Sequence, residues 1–323
     1  MKVVIAHRDG EPRVVELPEP ELGPGDVILR VSHSALMLPQ ELEVLDNAAA
    51  HLAPGQDGIP LGASVSGIVE RVGPGVERLK AGLRVCASGR PFVYHAPYLR
   101  VPAERVVELP KKVNHEEGSF AGQGAAAVHL VRTAGAVMGA SVVVFGAGLG
   151  GILAAQAARA GGASVLLADH EEHRLARARN VGVPQTAALS AKALVDEVNS
   201  MTAGQGLDAA IVTSDASEAA WRIAPHLLRE GGTVVLASSS AVVVADIVIE
   251  KELLVRGATG AGRASSGRWT ARANTEVFLA LLAERKVQVA PLVSDRIPID
   301  RAPSLYEKLR RTQPPSIGAV FTA

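Results

Sequence analysis

The first 122 residues carry their apolar side chains in short runs that alternate with glycine- and proline-rich turns. Valine-rich runs bounded by turns such as Asp9-Gly10 and Gly73-Pro74-Gly75 are typical of β-strands. The density of these runs predicts a small, barrel-like β domain. The predicted strands are Val3–Ala6, Val14–Glu16, Val27–Ser32, Val65–Val72, Leu83–Ala87 and Tyr98–Val101.

The pattern changes at residue 115, where an alanine-rich stretch predicts a helix over 115–134. Residues 123–260 then alternate short apolar runs with amphipathic stretches, which indicates an α/β fold with a doubly wound parallel sheet. Gly231-Gly232 is interpreted as the turn that precedes the fourth strand. The predicted strands are Val142–Phe145, Ser164–Ala168, Leu207–Val212, Thr233–Ala237 and Glu252–Gly257, and the predicted helices are Ile152–Ala160, Glu172–Asn180, Ala191–Thr202 and Glu218–Leu228.

Residues 261–323 again resemble the first domain in their sequence pattern. It predicts a helix near Asn274–Arg285, a strand near Leu292, a helix over Ala302–Arg311 and a final strand over Gly318–Thr322. We therefore expect a catalytic domain over 1–122, a dinucleotide-binding domain over 123–260, and a return to the catalytic domain over 261–323.

The charge balance and the cysteine count limit the kinds of molecule that this protein is expected to bind. The chain has 33 basic and 33 acidic residues and no long run of either sign, so nothing favours nucleic acid or an anionic membrane. The N-terminus becomes charged too early for a signal peptide. A single cysteine, Cys86, excludes internal disulfides and a multi-cysteine zinc lobe. We expect a cytoplasmic protein whose partner is a small molecule.

The richest motif follows the strand at 142–145. Gly146, Gly148 and Gly151 form a G-x-G-x-x-G that runs into a helix, with Leu149 and Gly150 between the last two glycines. The first glycine permits a tight turn, the second lets a pyrophosphate approach the backbone, and the third lets helix and strand pack closely. The helix N-terminus then faces the phosphate charge.

The second strand ends in an acid, Asp169, where a carboxylate accepts hydrogen bonds from the adenosine ribose. A carboxylate repels a 2′-phosphate, so the predicted cofactor is NAD. The alternative is a solvated helix cap. His170 and Arg174 are assigned to the adenine side, although Arg174 is equally compatible with a surface helix. Ala237 and Ala258, at the ends of the last two strands, complete the predicted cofactor set.

Three sequence features together resemble the medium-chain dehydrogenase/reductase family. They are the segments Ser66–Val76 and Gly82–Val85, the pair Val101-Pro102-Ala103 and Leu109-Pro110, and the fingerprint followed by Gly231–Val235. The resemblance implies a GroES-like barrel and a Rossmann domain, with the active site in the cleft between them. It also implies a homodimer in which the last strand of the Rossmann sheet pairs across a two-fold axis.

The resemblance also exposes a departure from the family's zinc enzymes. Their catalytic cysteine falls on Met37, their adjoining His-Glu pair on Ala63 and Ser64, and their third ligand near Gly122. These residues do not make a zinc ligand set, so no metal is expected. The hydroxyl of the family's proton relay falls on Pro39. A narrower resemblance, through the segments 94–96, 268–274 and 278–283, points to zinc-free members associated with sugar and cyclitol oxidoreductases of polysaccharide and secondary-metabolite pathways.

Without zinc, a carbonyl oxygen needs another electrophile or proton donor. The candidates are His95, Tyr94, Gln40 and Arg268, with His95 first because an imidazole titrates near neutrality. A histidine packed under a loop is the alternative for His95, and Glu41 is either a base or a charged residue at a helix start. The resulting hypothesis is a zinc-independent, NAD-dependent alcohol or carbonyl oxidoreductase. An ene-reductase, an epimerase or lyase that recycles bound NAD, and a non-catalytic NAD-binding protein remain open.

Overall fold

The computed structural model describes residues 1–213, 216, 218–237, 245–262, 268–311 and 318–322. Its contacts divide the chain into two compact units: 1–122 with 289–323, and 123–288. The first unit contains β1 Lys2–His7, β2 Pro12–Glu16, β3 Asp26–Ala35, α1 Leu38–Asp46, α2 Ala48–His51, β4 Gly58–Pro60, β5 Ser64–Val72, β6 Arg84–Ser88, β7 Tyr98–Pro102, β8 Val106–Glu108 and α3 His115–Ser119.

A second run of elements begins at the unit boundary. It comprises α4 Ala121–Ala134, β9 Ser141–Phe145, α5 Leu149–Ala160, β10 Ser164–Asp169, α6 Glu172–Asn180, β11 Thr186–Ala188, α7 Ala191–Thr202, β12 Leu207–Val212, α8 Glu218–Ile223, β13 Leu228–Leu236, α9 Ala245–Glu250, β14 Leu254–Gly257 and α10 Ala271–Ala283. The chain then returns to the first unit with β15 Val293–Pro298, α11 Ala302–Arg311 and β16 Gly318–Thr322.

Two sheets build the first unit. A small antiparallel sheet has the order β2-β1-β4, and a larger one has the order β15-β16-β3-β5-β6-β8, with β7 also paired to β3. Valine and leucine side chains from β3, β5, β6 and β7 form one core, and α1, α11 and β16 contribute to a second. The predicted β-rich domain is thus confirmed, but helices α1 and α2 were not predicted.

The second unit is a doubly wound α/β domain, as predicted. Its described strands form one parallel sheet in the order β11-β10-β9-β12-β13-β14. The middle strands carry continuous apolar runs, 142–145 in β9 and 209–212 in β12, because both faces of such a sheet are covered. Strand order reverses between β9 and β12, and ligands of this fold bind at that point, beyond the carboxyl ends of the strands.

The prediction of a turn at Gly231-Gly232 is wrong. These glycines lie inside β13, where the pairing with β12 shifts register between Leu207 and Ala209. Gly231 has a φ of +67°, so the pair forms an irregularity within a strand rather than a link to it. The preceding helix is correspondingly shorter than predicted, because α8 ends at Ile223 and a 3₁₀ turn follows.

The return to the first unit begins at Val289, whereas the sequence suggested residue 261. Helix α10 belongs to the second unit because it packs there through Phe278, whose ring fills the space beside Gly124. Gln156 on α5 then holds the chain after α10 with two hydrogen bonds, to the backbone N–H and C=O of Gln288. Among the described helices, none is long and apolar enough to cross a membrane.

Candidate functional site: a glycine turn and a buried polar cluster

The glycine turn lies at the carboxyl end of β9, at the reversal of strand order. Gly146 has a φ of +93° and donates its N–H to the carbonyl of Ala168 on β10. Gly148 is the N-cap of α5 and offers no side chain to the first helical N–H groups. A Cβ atom at Gly151 would lie 1.8 Å from the carbonyl oxygen of Gly146. The turn therefore needs glycine at its first and third positions, and it leaves helix donors available for an anion.

Asp169 ends β10 beside this turn and is only 5% exposed. Its Oδ2 accepts a hydrogen bond from the N–H of Ala147 at 2.6 Å, and its Oδ1 accepts one from Glu171 at 2.8 Å. The guanidinium of Arg174 lies 3.6 Å from Oδ2. The carboxylate is thus anchored between the glycine turn and the start of α6, where an adenosine ribose is held in this fold class.

The remaining predicted cofactor residues also lie along the carboxyl edge of the sheet. Leu149 is buried at the start of α5, Gly150 has open space at its Cβ position, and His170 is exposed next to Asp169. Ala237 follows β13 and donates its N–H to Val212, and Ala258 follows β14 and donates to Leu236. All of these residues therefore belong to the second unit.

His95 occupies a different environment, in the interior of the first unit. Its ring is fully buried, with Nδ1 2.5 Å from Ser34 Oγ and Nε2 3.1 Å from Glu41 Oε2. The edge of the ring packs against Phe321 at a centroid distance of 4.8 Å. The hydroxyl of Tyr306 donates to the same Glu41 oxygen. Both ring nitrogens are therefore engaged within a polar cluster formed by Ser34, Glu41, His95 and Tyr306.

The electrostatics of this cluster favour an ionised Glu41. Burial raises the pKa of the Glu41 carboxyl, but the nearby His95 and the hydrogen bonds from His95, Tyr306 and the Met37 N–H outweigh it, so the pKa lies below its ordinary value. Burial and the Glu41 charge hold the pKa of the Tyr306 hydroxyl well above its usual range. Tyr306 therefore stays protonated and remains a donor.

The other predicted catalytic residues lie nearer the surface. Tyr94 is half-buried against the barrel core, and burial raises the pKa of its phenol. Gln40 is exposed on the first turn of α1. Arg268 is exposed in the second unit, with its guanidinium 4.6 Å from the centre of the Trp269 ring. The structure thus places Gln40, Tyr94 and His95 in one unit and Arg268 in the other.

The positions that correspond to the family's zinc ligands contain hydrogen bonds instead. Ser64 Oγ donates to the carbonyl of Ser119 at 2.6 Å and accepts from the N–H of Gly122 at 2.9 Å. Met37 contributes a thioether and Ala63 a methyl group, neither of which suits a hard or borderline cation. Within the described ranges, no three His, Cys, Asp or Glu side chains converge as a metal site. The donor set does not fit zinc.

Comparisons with known proteins agree with this architecture. Residues 23–138 match the family model of the alcohol dehydrogenase GroES-like domain, and residues 150–278 match that of the zinc-binding dehydrogenases. The chain belongs to the medium-chain dehydrogenase/reductase family. It is an oxidoreductase by that membership, and its first unit is the family's GroES-like domain while its second is the Rossmann domain.

Named relatives cover nearly the whole chain. Sorbitol dehydrogenase of Gallus gallus is 26% identical over 95% of this chain and 93% of its own length. Probable D-xylulose reductase A of Aspergillus clavatus is 29% identical over 91% and 89%. Among solved structures, an alcohol dehydrogenase from Thermus sp. ATN1 is 25% identical, covers 100% of this chain and 99% of its own, and superposes with a TM-score of 0.82.

Sequence reasoning missed two members of the buried cluster, Ser34 and Tyr306. Ser34 is buried near the end of β3, next to the buried Ala35, and its position in a strand rich in apolar residues could have indicated this. Tyr306 lies 265 positions from Glu41, and no local pattern connects them. Glu41 itself was considered as a base or a helix-start residue, and the structure buries it within the cluster.

Proposed function

We propose that this chain is an NAD(H)-dependent oxidoreductase that interconverts an alcohol and a carbonyl on a polar, polyol- or sugar-like substrate without a catalytic zinc ion. The observation that carries the choice of cofactor is the carboxylate of Asp169, anchored by Ala147 and Glu171 next to the glycine turn. A 2′-phosphate at that position would meet this negative charge. The guanidinium of Arg174, 3.6 Å from Asp169 Oδ2, already pairs with this carboxylate.

The cofactor would supply the hydride donor or acceptor, and the protein would orient it. The N–H groups at the start of α5 would bind the pyrophosphate, with Gly146, Gly148 and Gly151 allowing its approach. Asp169 would accept hydrogen bonds from the ribose hydroxyls. Ala237 and Ala258, at the ends of β13 and β14, would line the same edge of the sheet, with His170 and Arg174 on the adenine side.

The relatives support a polar substrate, because the names sorbitol dehydrogenase and D-xylulose reductase both refer to polyols and sugars. Gln40, exposed on the first turn of α1, would bind a hydroxyl group of such a substrate. Arg268, in the second unit, remains a candidate from the sequence. Tyr94 would be the proton donor, since it is only half-buried and its phenol remains protonated at neutral pH. His95 can exchange a proton directly only if its bond to Ser34 or to Glu41 opens.

Calorimetry with NADH and NADPH tests the cofactor assignment. We expect NADH to bind more tightly than NADPH. Asp169→Ala should reduce the difference between the two affinities, because it removes both the acceptor for the ribose hydroxyls and the charge that repels a 2′-phosphate. Equal or tighter binding of NADPH by the wild-type chain would contradict the assignment.

Turnover is tested by following NADH formation with a panel of polyols, and NADH consumption with the matching ketoses. Tyr94→Phe should lower turnover by roughly 10²-fold, the lower range for a general acid, and leave NADH affinity unchanged. His95→Asn is the comparison, with its melting temperature measured alongside. A larger loss of turnover in a stably folded His95→Asn protein than in Tyr94→Phe would identify His95, rather than Tyr94, as the proton donor.

Ene reduction is the second candidate, favoured by the engagement of both His95 nitrogens. Hydride addition to a conjugated carbon can proceed with solvent supplying the proton. A panel of conjugated enones separates the two functions, because an ene-reductase consumes NADH with enones and leaves polyols unoxidised.

A further inference from the structure

Side-chain hydrogen bonds connect three segments of the first unit: 37–41 at the start of α1, 61–64 at the start of β5, and 119–122 at the junction of α3 and α4. Ser64, which is fully buried, makes the link between the second and the third. Its hydroxyl donates to Ser119 O and accepts from Gly122 N, so one oxygen satisfies two backbone groups. A Cβ atom at Gly122 would lie 2.9 Å from Ser64 Oγ, so the link also depends on glycine there.

Glu41 and His95 make the link between the first segment and the second. Glu41 Oε1 accepts from the N–H of Met37 at 2.8 Å, which closes the first turn of α1, and Oε2 accepts from His95 Nε2. The backbone N–H of His95 donates to Leu61 O at 2.7 Å. The ring also lies so close to Gly62 that a Cβ atom there would be 2.8 Å from it.

The burial of the Glu41 carboxylate requires hydrogen-bond donors at defined positions around it. An ionised carboxylate loses several kcal/mol of hydration when buried, and it is retained only where donors surround it. Glu41 receives three such donors, from Met37, His95 and Tyr306, and is 3% exposed. The hydrogen bonds therefore fix the position of the helix start relative to the loop that carries His95.

Glu41 and His95 each directly follow a residue of the proposed substrate site. Gln40 is the neighbour of Glu41, and Tyr94 is the neighbour of His95. Gln40 is exposed and Tyr94 is half-buried, whereas the pair behind them is closed to solvent. A bond of 3.1 Å between the buried side chains sets how far apart the two backbones, and hence Gln40 and Tyr94, can lie.

We propose that Glu41 and Ser64 are positioning residues: their hydrogen bonds hold together, without a metal ion, the segments on which the family's zinc ligands fall, and so place Gln40 and Tyr94. The assignment of Gln40 and Tyr94 rests on the proposed function. The hydrogen-bonded links themselves do not rest on it, and they can be tested without a substrate.

The first test is hydrogen–deuterium exchange on the full chain, with peptides that cover 37–46, 94–96 and 119–122. We expect Glu41→Gln to speed exchange in the first two peptides by at least about tenfold, because it replaces the oxygen that accepts from His95 and Tyr306 with an NH2 group that faces these donors. We expect Ser64→Ala to do so in the third, because the amide of Gly122 loses its acceptor. A chelator should change nothing in the wild-type protein, and elemental analysis should find no stoichiometric zinc.

Matched controls lie on the same elements. Glu43→Gln makes the same change on an exposed part of α1, and Ser66→Ala removes another buried hydroxyl of β5, which donates to His115 O rather than to the 119–122 segment. Both controls should leave the three peptides within about twofold of wild type. Exchange in Glu41→Gln that matches Glu43→Gln, or loosening of the wild type by chelator, would overturn the proposal.

The second test separates positioning from simple structural support. Glu41→Gln should lower kcat by about ten- to a hundredfold with NADH affinity unchanged, because small misplacements near reacting groups carry losses of this size. Adding Tyr94→Phe should then cost much less than it does in the wild type, since Tyr94 is already displaced. Additive losses in the double variant would contradict positioning.

The proposal remains testable if Glu41→Gln does not fold or if the wild-type chain oxidises no polyol. If Glu41→Gln does not fold, Tyr306→Phe keeps the carboxylate and removes one donor, and it should produce the same exchange pattern at a smaller amplitude. If the wild-type chain oxidises no polyol, the proposed function fails, but the exchange experiment still decides the links. Faster exchange in the Glu41 and Ser64 variants than in their controls supports the links, and equal exchange refutes them.

Discussion

The third glycine of the turn provides a sharp test, because two adjacent glycines differ in the space around them. A methyl group at Gly151 would lie 1.8 Å from the carbonyl oxygen of Gly146, whereas a methyl group at Gly150 would meet no atom within 4 Å. Ordinary contact begins near 3.4 Å, so Gly151→Ala requires a displacement of 3.4 − 1.8 = 1.6 Å between helix and turn. Neither glycine has a positive φ, so backbone strain does not distinguish them.

The expected energies follow from this geometry. Overpacking of a well-packed site costs about 1–3 kcal/mol, and here a backbone carbonyl has to move. Gly150→Ala should instead stabilise the protein by about 0.5 kcal/mol, because alanine restricts the unfolded chain at a helical position. Since the displaced turn is also the proposed pyrophosphate site, Gly151→Ala should weaken NADH binding at least about tenfold, which corresponds to about 1.4 kcal/mol.

Urea unfolding measures the first quantity and calorimetry with NADH measures the second. Gly150→Ala is the control for the added methyl group in the unfolding experiment, where it should not destabilise the protein. A Gly151→Ala protein with wild-type stability and wild-type NADH affinity would refute the packing argument. Loss of affinity in both variants would show instead that the open space at Gly150 is filled by the cofactor.

Two other properties can be measured independently. The pKa of Glu41 lies below its ordinary value of 4.5, so its ionised form stabilises the fold above that pH and this contribution is lost as pH falls below it. Glu41→Gln should therefore lower the free energy of unfolding by about 1–3 kcal/mol at pH 7, measured with urea, and by less at pH 4. A difference between variant and wild type that grows on acidification would contradict the assignment.

We also expect a homodimer paired through β14, an edge of the described sheet. Leu254→Lys, at a side chain 49% exposed, should shift light scattering towards monomer, while Val195→Lys, 44% exposed on α7, should not; a monomeric wild-type chain would exclude this pairing.

Local signals predicted most of the second unit. Helices α6 and α7 and strand β12 have the bounds that their apolar periodicity predicted, and the glycine turn follows β9 as its motif requires. These elements are specified by residues close together in the chain. The error at β13 has the opposite origin, because Gly231 and Gly232 carry a turn signal that pairing with β12 overrides.

The polar cluster could not have been found in the same way. His95 and Glu41 are 54 positions apart, and each one looks like an exposed polar residue in its own segment. Helix α1 did carry a usable signal, since Pro39 lies in its first turn together with an acidic residue, a combination that favours helix starts. The interpretation of Glu41 as a helix-start residue agrees with its place in the first turn of α1, but its burial depends on Tyr306, which is distant in sequence.

The order of the chain has a consequence for synthesis on the ribosome. The second unit is a continuous insertion, 123–288, so it can fold as soon as it has emerged. The first unit cannot, because β16, which pairs with the end of β3 through Val320 and Ala35, is made after the whole of the second unit. Until then, that part of β3 remains an open strand edge and Glu41 lacks the Tyr306 hydroxyl. A nascent chain of this protein therefore exposes an unfinished sheet for most of its translation, which is the kind of surface that chaperones bind.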